Sequence, residues 1–344
     1  MALGRRFRTV LMVLMMAFST PTPVIAAPAI NGAVVIMYHR FGETKYPSTN
    51  VTLEQFEAHL QELKSGQYHV LPLPEIIAAL QNGTALPDRT VGLSIDDAYL
   101  SVFTEAWPRL KKAGFPFTVF VATDPVDNNT FGFMNWGQIR ELASSGVTIG
   151  GHTGSHLHMA KAGRKKNLNE LTRSKRRFEE MLGKPPRLFA YPYGETSLAI
   201  QMMATSAGFI ASFGQHSGAF DGGSNMFDLP RFAMNENYAG MVRFRLAVNA
   251  LPLPVTNITP ADPLISTINP PTMGFSFLGD AKALRRLSCF SSNAGKARVE
   301  RLGERRIEIR VEQAFPTGRT RVNCTLPASK GRWYWFGRQF YRPK

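Results

Sequence analysis

The sequence predicts an α/β protein: a (β/α) barrel of about seven units followed by a small antiparallel β-sandwich-like domain. Three observations carry this. From about residue 33 to residue 251, apolar β-branched runs alternate with segments of helical period, the pattern of a parallel sheet flanked by helices. Pro252, Pro254, Pro260, Pro263, Pro270 and Pro271 then mark a linker or a change of architecture. Beyond them, short alternating strands replace the helical period. Composition agrees, since 44% apolar and 19% charged residues in a chain of 344 allow a sizeable core and exclude global disorder.

The first residues are an address. Arg5, Arg6 and Arg8 form a positive region, residues 10–18 are uninterruptedly apolar, and Ile25, Ala26 and Ala27 lead into small residues. That order predicts a secretory signal peptide over residues 1–26. The mature protein is then periplasmic, or secreted and cell-envelope associated, where disulfides are allowed. No apolar run reaches the ~18 residues of a membrane-spanning helix.

The barrel, residues 27–251, opens with a buried strand at 33–38. Residues 52–64 follow as an amphipathic helix, with Phe56, Leu60 and Leu63 at i, i+4 and i+7; His59 on it reads as structural. A short helix at 74–81, a strand at 91–95, a helix at 100–112 and a strand at 117–121 continue the alternation. So do a helix at 136–142, a strand at 147–149, a helix at 168–182 and a strand at 188–191. Residues 197–206 and 209–213 give one more helix–strand pair. This repetition favours a closed or nearly closed barrel over an open sheet, and reactive groups in barrels gather at the carboxyl ends of strands.

The linker is predicted over 252–272 and the second domain over 273–344, with strands at 274–278, 306–311, 319–325 and 333–341. So small a domain is marginal alone. A disulfide between Cys289 and Cys324 is therefore expected rather than two buried thiols. Trp333, Tyr334, Trp335 and Phe336 can stack on sugar rings or form half of a core. From Ser276 onward sixteen Lys or Arg stand against five Asp or Glu, whereas the barrel is nearly neutral. Export argues against nucleic acid, so the basic tail is expected to face an anionic envelope surface with steep salt dependence.

Three segments at predicted strand ends carry chemistry. The first is Asp96-Asp97. Unpaired carboxylates are costly to bury, and neighbours in sequence reach the 5–9 Å separation of a glycosidase pair only awkwardly. One metal ligand plus one free base is the better reading, given a turn after Ile95 that brings both to one pocket. The second is His152-Thr153-Gly154-Ser155-His156, whose histidines at i and i+4 can converge on one ion. With Asp97 they make a two-His, one-carboxylate set that suits Zn²⁺, and also Co, Ni or Fe. The third, Tyr191-Pro192-Tyr193-Gly194, is a strand running into a turn whose backbone N–H groups could face an oxyanion.

At these residues the chain resembles the polysaccharide deacetylases of the NodB homology group, carbohydrate esterase family 4. Met37-Tyr38-His39-Arg40-Phe41 and Leu229-Pro230-Arg231 resemble its poly-β-1,6-N-acetylglucosamine deacetylase branch. The resemblance covers roughly residues 34–250. It implies a distorted (β/α) barrel and metal-dependent hydrolysis of N-acetyl groups on an N-acetylglucosamine polysaccharide. By position, Asp96 resembles the general base, Asp97, His152 and His156 the metal ligands, and the Tyr193 N–H the oxyanion donor. His39 resembles the general acid of that branch. Trp136, with Met134, and Tyr191 are the candidate substrate contacts, although a tryptophan opening a helix is as often a packing anchor.

Departures from the pattern are specific. Ala98 follows the aspartate pair where glycine is usual, and is strained if the position needs positive φ. Ala190 stands where an arginine commonly orients the base, a task Arg231 could take over. His158 adds a third histidine near the pair. Competing readings are a non-catalytic glycan-binding envelope protein, a deacetylase of peptidoglycan or chitin-like oligomers, and a metal hydrolase of phosphate or sulfate esters.

Overall fold

The computed structural model describes Met1 and residues 31–344, so the predicted signal peptide, Met1 apart, lies outside the described residues. Val34, Val35 and Ile36 are at most 2% exposed, and the strand Gly32–Tyr38 is covered on both faces, as a central parallel strand must be. Across the first sheet the order is Ala219–Asp221, Gly32–Tyr38, Thr90–Asp96, Thr118–Val121, Thr148–Gly151, Leu188–Ala190 and Ala211–Phe213. Neighbours are parallel except at Ala219–Asp221, which runs antiparallel to residues 32–34. The sheet curls, and residues 229–233 span its open side: Leu229 bridges Phe213 at one end and Phe232 pairs with Ile36 at the other.

The helices follow local rules. Thr52 and Gln55 form a reciprocal capping box that starts Leu53–Ser65, and Asn135 and Gln138 do the same for Trp136–Ser144. Arg164–Leu182 is the longest, and stops at Gly183 in the left-handed conformation. The helix predicted from residue 100 instead begins as a π-turn, Val102–Ala106, before the α-helix Trp107–Ala113. Pro108 has no N–H to give the regular ladder, which loosens there. Among the described residues no helix is long and apolar enough to cross a membrane.

The second sheet has the order Leu251–Pro252, Trp333–Arg342, Gly318–Pro327, Ser288–Ser291, Gly295–Leu302, Arg306–Arg310, Met273–Phe277 and Val255–Thr259. Its eight strands are joined in one continuous ladder. Gly295–Leu302 pairs through residues 295–297 with one neighbour and through 298–302 with the other. The predicted linker also carries structure: Leu251–Pro252 and Val255–Thr259 are strands of this sheet. Its prolines flank the β-branched run rather than interrupt it. Along Gly318–Pro327 the even positions Thr320, Val322, Cys324 and Leu326 point inward. Cys289 and Cys324 stand directly opposite each other and are disulfide-bonded.

The two sheets meet closely. Trp335 packs edge-on against Phe232 at 5.2 Å between ring centroids. Gly337 has to be glycine, because a Cβ there would lie 1.8 Å from the Ser217 carbonyl oxygen. Arg332 reaches Asp88 at 2.6 Å and the Asn249 carbonyl at 2.8 Å. Trp335 and Phe336, the latter packed on Phe275, therefore serve the joint and the second core.

Candidate active site

The strand Thr90–Asp96 ends in a sharp turn. Asp97 and Ala98 have φ of 76° and 58°, both left-handed and neither glycine. Two such residues in succession break the alternation that would aim the carboxylates apart, and the Ala98 position does demand positive φ. The turn is braced by the Met134 N–H, which donates to the Ala98 carbonyl at 2.9 Å.

Asp96 is fully buried and accepts two hydrogen bonds from Arg231, at 2.7 and 2.8 Å. Arg231 is as deeply buried, and it also donates to the Gly214 carbonyl at 2.9 Å and to Ser94 Oγ at 3.2 Å. Burial works to raise the Asp96 carboxyl, but the adjacent guanidinium outweighs it and holds the group below the usual aspartate range. A fork on both oxygens fixes the carboxylate's plane as well as its charge. Arg231 thus holds Asp96 from the spanning segment, whereas Ala190 has no polar side chain with which to reach it.

Asp97 lies 3.4 Å from His152 Nε2 and 3.2 Å from His156 Nε2. Burial again pushes upward, yet the two imidazoles hold Asp97 well below its ordinary value. One ligand atom from each of Asp97, His152 and His156 lies within 4.8 Å of the others. His152 Nδ1 is engaged by the Ala190 carbonyl at 2.7 Å, which directs Nε2 into the cluster. That Nε2 is buried and makes no hydrogen bond. An orphaned imidazole nitrogen facing a carboxylate and a second imidazole is what a divalent cation would satisfy, so the residues present fit a metal.

The loop bearing the histidines is held from beneath. Thr153 and His156 have φ of 65° and 56°, and Glu170 accepts from the Gly154 and Ser155 N–H groups at 3.0 and 2.8 Å. Arg173 ties Glu170 to Asp124. Sequence reading missed this brace, whose only trace is an acidic residue on the inner face of a long basic helix.

The third segment turns at Pro192–Gly194, where Tyr193 has φ 60° and ψ 5°. Among the described residues no acceptor meets the Tyr193 N–H. Its ring stacks on His158 at 3.7 Å and meets His156 edge-on at 4.5 Å. His158 Nδ1 in turn lies 2.9 Å from Glu195 Oε2 and so is engaged outside the metal cluster. His39, at the end of the first strand, lies in the field of both Asp96 and Asp97. Burial depresses its pKa below the usual histidine value, against the pull of the two carboxylates.

Two expected substrate contacts are corrected. Tyr191 is fully buried and its hydroxyl donates to the Phe227 carbonyl at 2.9 Å, so it tethers the chain just ahead of the spanning segment and cannot touch a glycan. Trp136 packs edge-on against Phe178 and its indole N–H donates to Asp127 at 2.6 Å, making it an anchor of its helix. Both rings are drawn inward because a large apolar surface next to a core gains more from burial than from the rim. His59, as expected, is structural: it stacks on Phe244 and bonds the Tyr38 hydroxyl and the Ala239 carbonyl.

Comparison with known proteins agrees with this geometry. Residues 83–211 match the family model described as polysaccharide deacetylase. The poly-β-1,6-N-acetyl-D-glucosamine N-deacetylase of Staphylococcus epidermidis is 27% identical over 225 residues, 55% of this chain and 77% of that protein. The enzyme of the same name from Staphylococcus aureus (strain MSSA476) is 24% identical over 233 residues, 60% of this chain and 80% of the relative. Among solved structures, IcaB from Ammonifex degensii is similar at a TM-score of 0.56 and 27% identity, covering 62% of this chain and 96% of the other. The Streptococcus pyogenes deacetylase PplD, in complex with acetate, shares the fold at a TM-score of 0.59 and 22% identity, covering 63% and 98%.

Proposed function

This chain carries a polysaccharide deacetylase domain, and from that premise we propose that it is a metal-dependent N-deacetylase of an N-acetylglucosamine-containing polysaccharide, releasing acetate. One observation carries the reading: the orphaned His152 Nε2, His156 and Asp97 converge beside an Asp96 kept ionised by Arg231. The relatives named for poly-β-1,6-N-acetyl-D-glucosamine make a β-1,6-linked glycan the first choice of substrate.

Asp97, His152 and His156 would hold the cation, zinc first and cobalt, nickel or iron as alternatives. Bound there, it would supply Lewis acidity toward an acyl carbonyl. Asp96 takes a proton from the attacking water, its Arg231 fork leaving one lone pair on each oxygen. The Tyr193 N–H donates to the oxyanion as the carbonyl becomes tetrahedral. His39, in its protonated form, gives a proton to the amide nitrogen as the C–N bond breaks, the proton taken up by Asp96 restores it, and the glycan amine and acetate leave.

Export is part of the proposal, supported by the disulfide of the second sheet and by the basic and apolar order of residues 5–27. Not all of the tail's positive charge faces outward, because Arg319, Arg321 and Arg332 reach back to the first sheet. The exposed remainder, Lys296, Arg298 and Arg301 among it, is assigned to an anionic envelope polymer.

The test is acetate release from β-1,6- and β-1,4-linked N-acetylglucosamine oligomers, with and without chelator. Release should be faster on the β-1,6 series and stop with chelator. Asp96→Asn should lose activity while keeping metal, and His152→Ala should lose metal. Glycan binding by the metal-loaded protein without acetate would overturn the reading.

A further inference from the structure

We infer that the second sheet completes the active site, with Gln339 and Arg319 acting as positioning residues for the Tyr193 turn. The inference rests on the deacetylase reading above and adds a requirement that nothing in the barrel itself supplies. Gln339 Nε2 donates to the Tyr193 carbonyl at 3.0 Å, and Arg319 Nη1 reaches the same oxygen at 3.4 Å. Arg319 also lies over the Tyr193 ring, 5.5 Å from its centroid, and 3.8 Å from Glu195. His158 covers the ring by stacking, and Glu195 accepts from His158. The turn is therefore gripped at its carbonyl and at its ring.

The grip has a physical reason. Tyr193 is left-handed, and the next residue, Gly194, has φ 67°. A residue with a Cβ holds that conformation only where its surroundings over-determine it. Relaxation to the right-handed region would swing the preceding peptide, and with it the Tyr193 N–H, away from the position an oxyanion would take. The distance needed for such a donor is narrow, so a modest swing is enough to lose it.

Gln339 itself points the same way. It is 5% exposed and sits between packed sheets, where an aliphatic side chain would suit the surroundings. Its Oε1 has no hydrogen-bond partner, so the one bond of the side chain is that from Nε2 to Tyr193. A buried amide left half-satisfied is a cost with no packing return, and holding the turn accounts for it. Placing Gln339 and Arg319 on adjacent strands, Trp333–Arg342 and Gly318–Pro327, aims both at one carbonyl.

The experiment compares Gln339→Leu, Arg319→Ala and Arg319→Lys in the full chain loaded with zinc. Arg319 has a side chain 38% exposed, so truncating it opens no cavity. Gln339→Leu and Arg319→Ala should each lower kcat for acetate release about tenfold or more, with KM and zinc affinity within about twofold. Arg319→Lys should keep most of the rate. In parallel, amide hydrogen exchange at Gly194 and Glu195, whose N–H groups donate to the Tyr191 and Pro192 carbonyls, should quicken in the two truncations and stay slow in Arg319→Lys. Unchanged kcat in folded truncations, unchanged exchange, or equal loss in Arg319→Lys would overturn the inference. Should the wild type release no acetate from any glycan, the deacetylase reading fails, while the exchange measurement still decides whether the second sheet positions the turn.

Discussion

The rim of the first sheet and the ladder of the second are built on opposite principles. Among the described residues nine non-glycine positions have positive φ, and five of them, Asp97, Ala98, Thr153, His156 and Tyr193, lie in the three loops of the site. Each strained turn is matched by a buried polar brace: Arg231 on Asp96, Glu170 under the histidine loop, Gln339 on Tyr193. The second sheet instead relies on inward alternation of apolar residues and one disulfide, with strained backbone confined to Asn257 and Lys330. The difference teaches where precision is kept: strained backbone is concentrated where side chains must converge.

The contrast breaks most decisively at Arg231. Arg231→Met should strip a fully buried cation from a fully buried carboxylate and cost about 3–5 kcal/mol in urea-induced unfolding. The double variant with Asp96→Asn should recover part of that loss, because the stranded charge is then gone. Equal costs for the single and double variants would mean that Arg231 acts by volume rather than charge.

Removing the second sheet's staple should come next. Replacing Cys289 and Cys324 together by alanine should cost about 2–4 kcal/mol and leave a folded ladder, since the loop closed is of ordinary length and the strands pair on both sides. Collapse of the sheet on reduction would show that its apolar alternation is weaker than supposed.

Acid separates the two regions without mutation, because every histidine lies at or before residue 216. Burial lowers His59 to about 4 and lowers His216 as well. A histidine depressed in the folded state stabilises fully above its unfolded pKa and loses that contribution as pH falls toward the folded value. His59 alone should remove about 2 kcal/mol between pH 6.5 and 5. Urea melts across that range should show the loss, and His59→Gln, which keeps an amide for Tyr38 and Ala239, should flatten it. A slope unchanged in that variant would move the acid sensitivity elsewhere.

What was legible in the sequence divides along the same line. Apolar runs such as residues 33–38 and 91–95 announced the central strands, and Asp97, His152 and His156 announced themselves by type, spacing and position at strand ends. The braces did not, because Glu170, Gln339 and Arg319 act across the fold on residues 15 to 146 positions away, where periodicity carries no signal. Gly295–Leu302 was invisible for another reason: it buries only Ala297, so its charges alternate with nothing apolar enough to read. Tyr191 and Trp136 were misplaced because an aromatic residue beside a site looks alike in sequence whether it lines the pocket or anchors the wall behind it.

Ala98 offers the smallest and sharpest test of the comparison. It is fully buried at φ 58°, in a turn where the Cβ is the only source of disfavour. Ala98→Gly should therefore stabilise the protein by about 0.5–1 kcal/mol, the relief at a left-handed position outweighing the larger entropy of the unfolded glycine chain. Ala204, equally buried but inside the regular helix Leu198–Ser206, is the matched control. There the same exchange should destabilise by about 1 kcal/mol, since glycine gains nothing at helical φ and loses the propensity of alanine. Opposite signs from one chemical change at two buried alanines would locate the strain at the rim. The same sign at both would mean that the turn after Asp96 is held without strain and that its braces serve the charges alone.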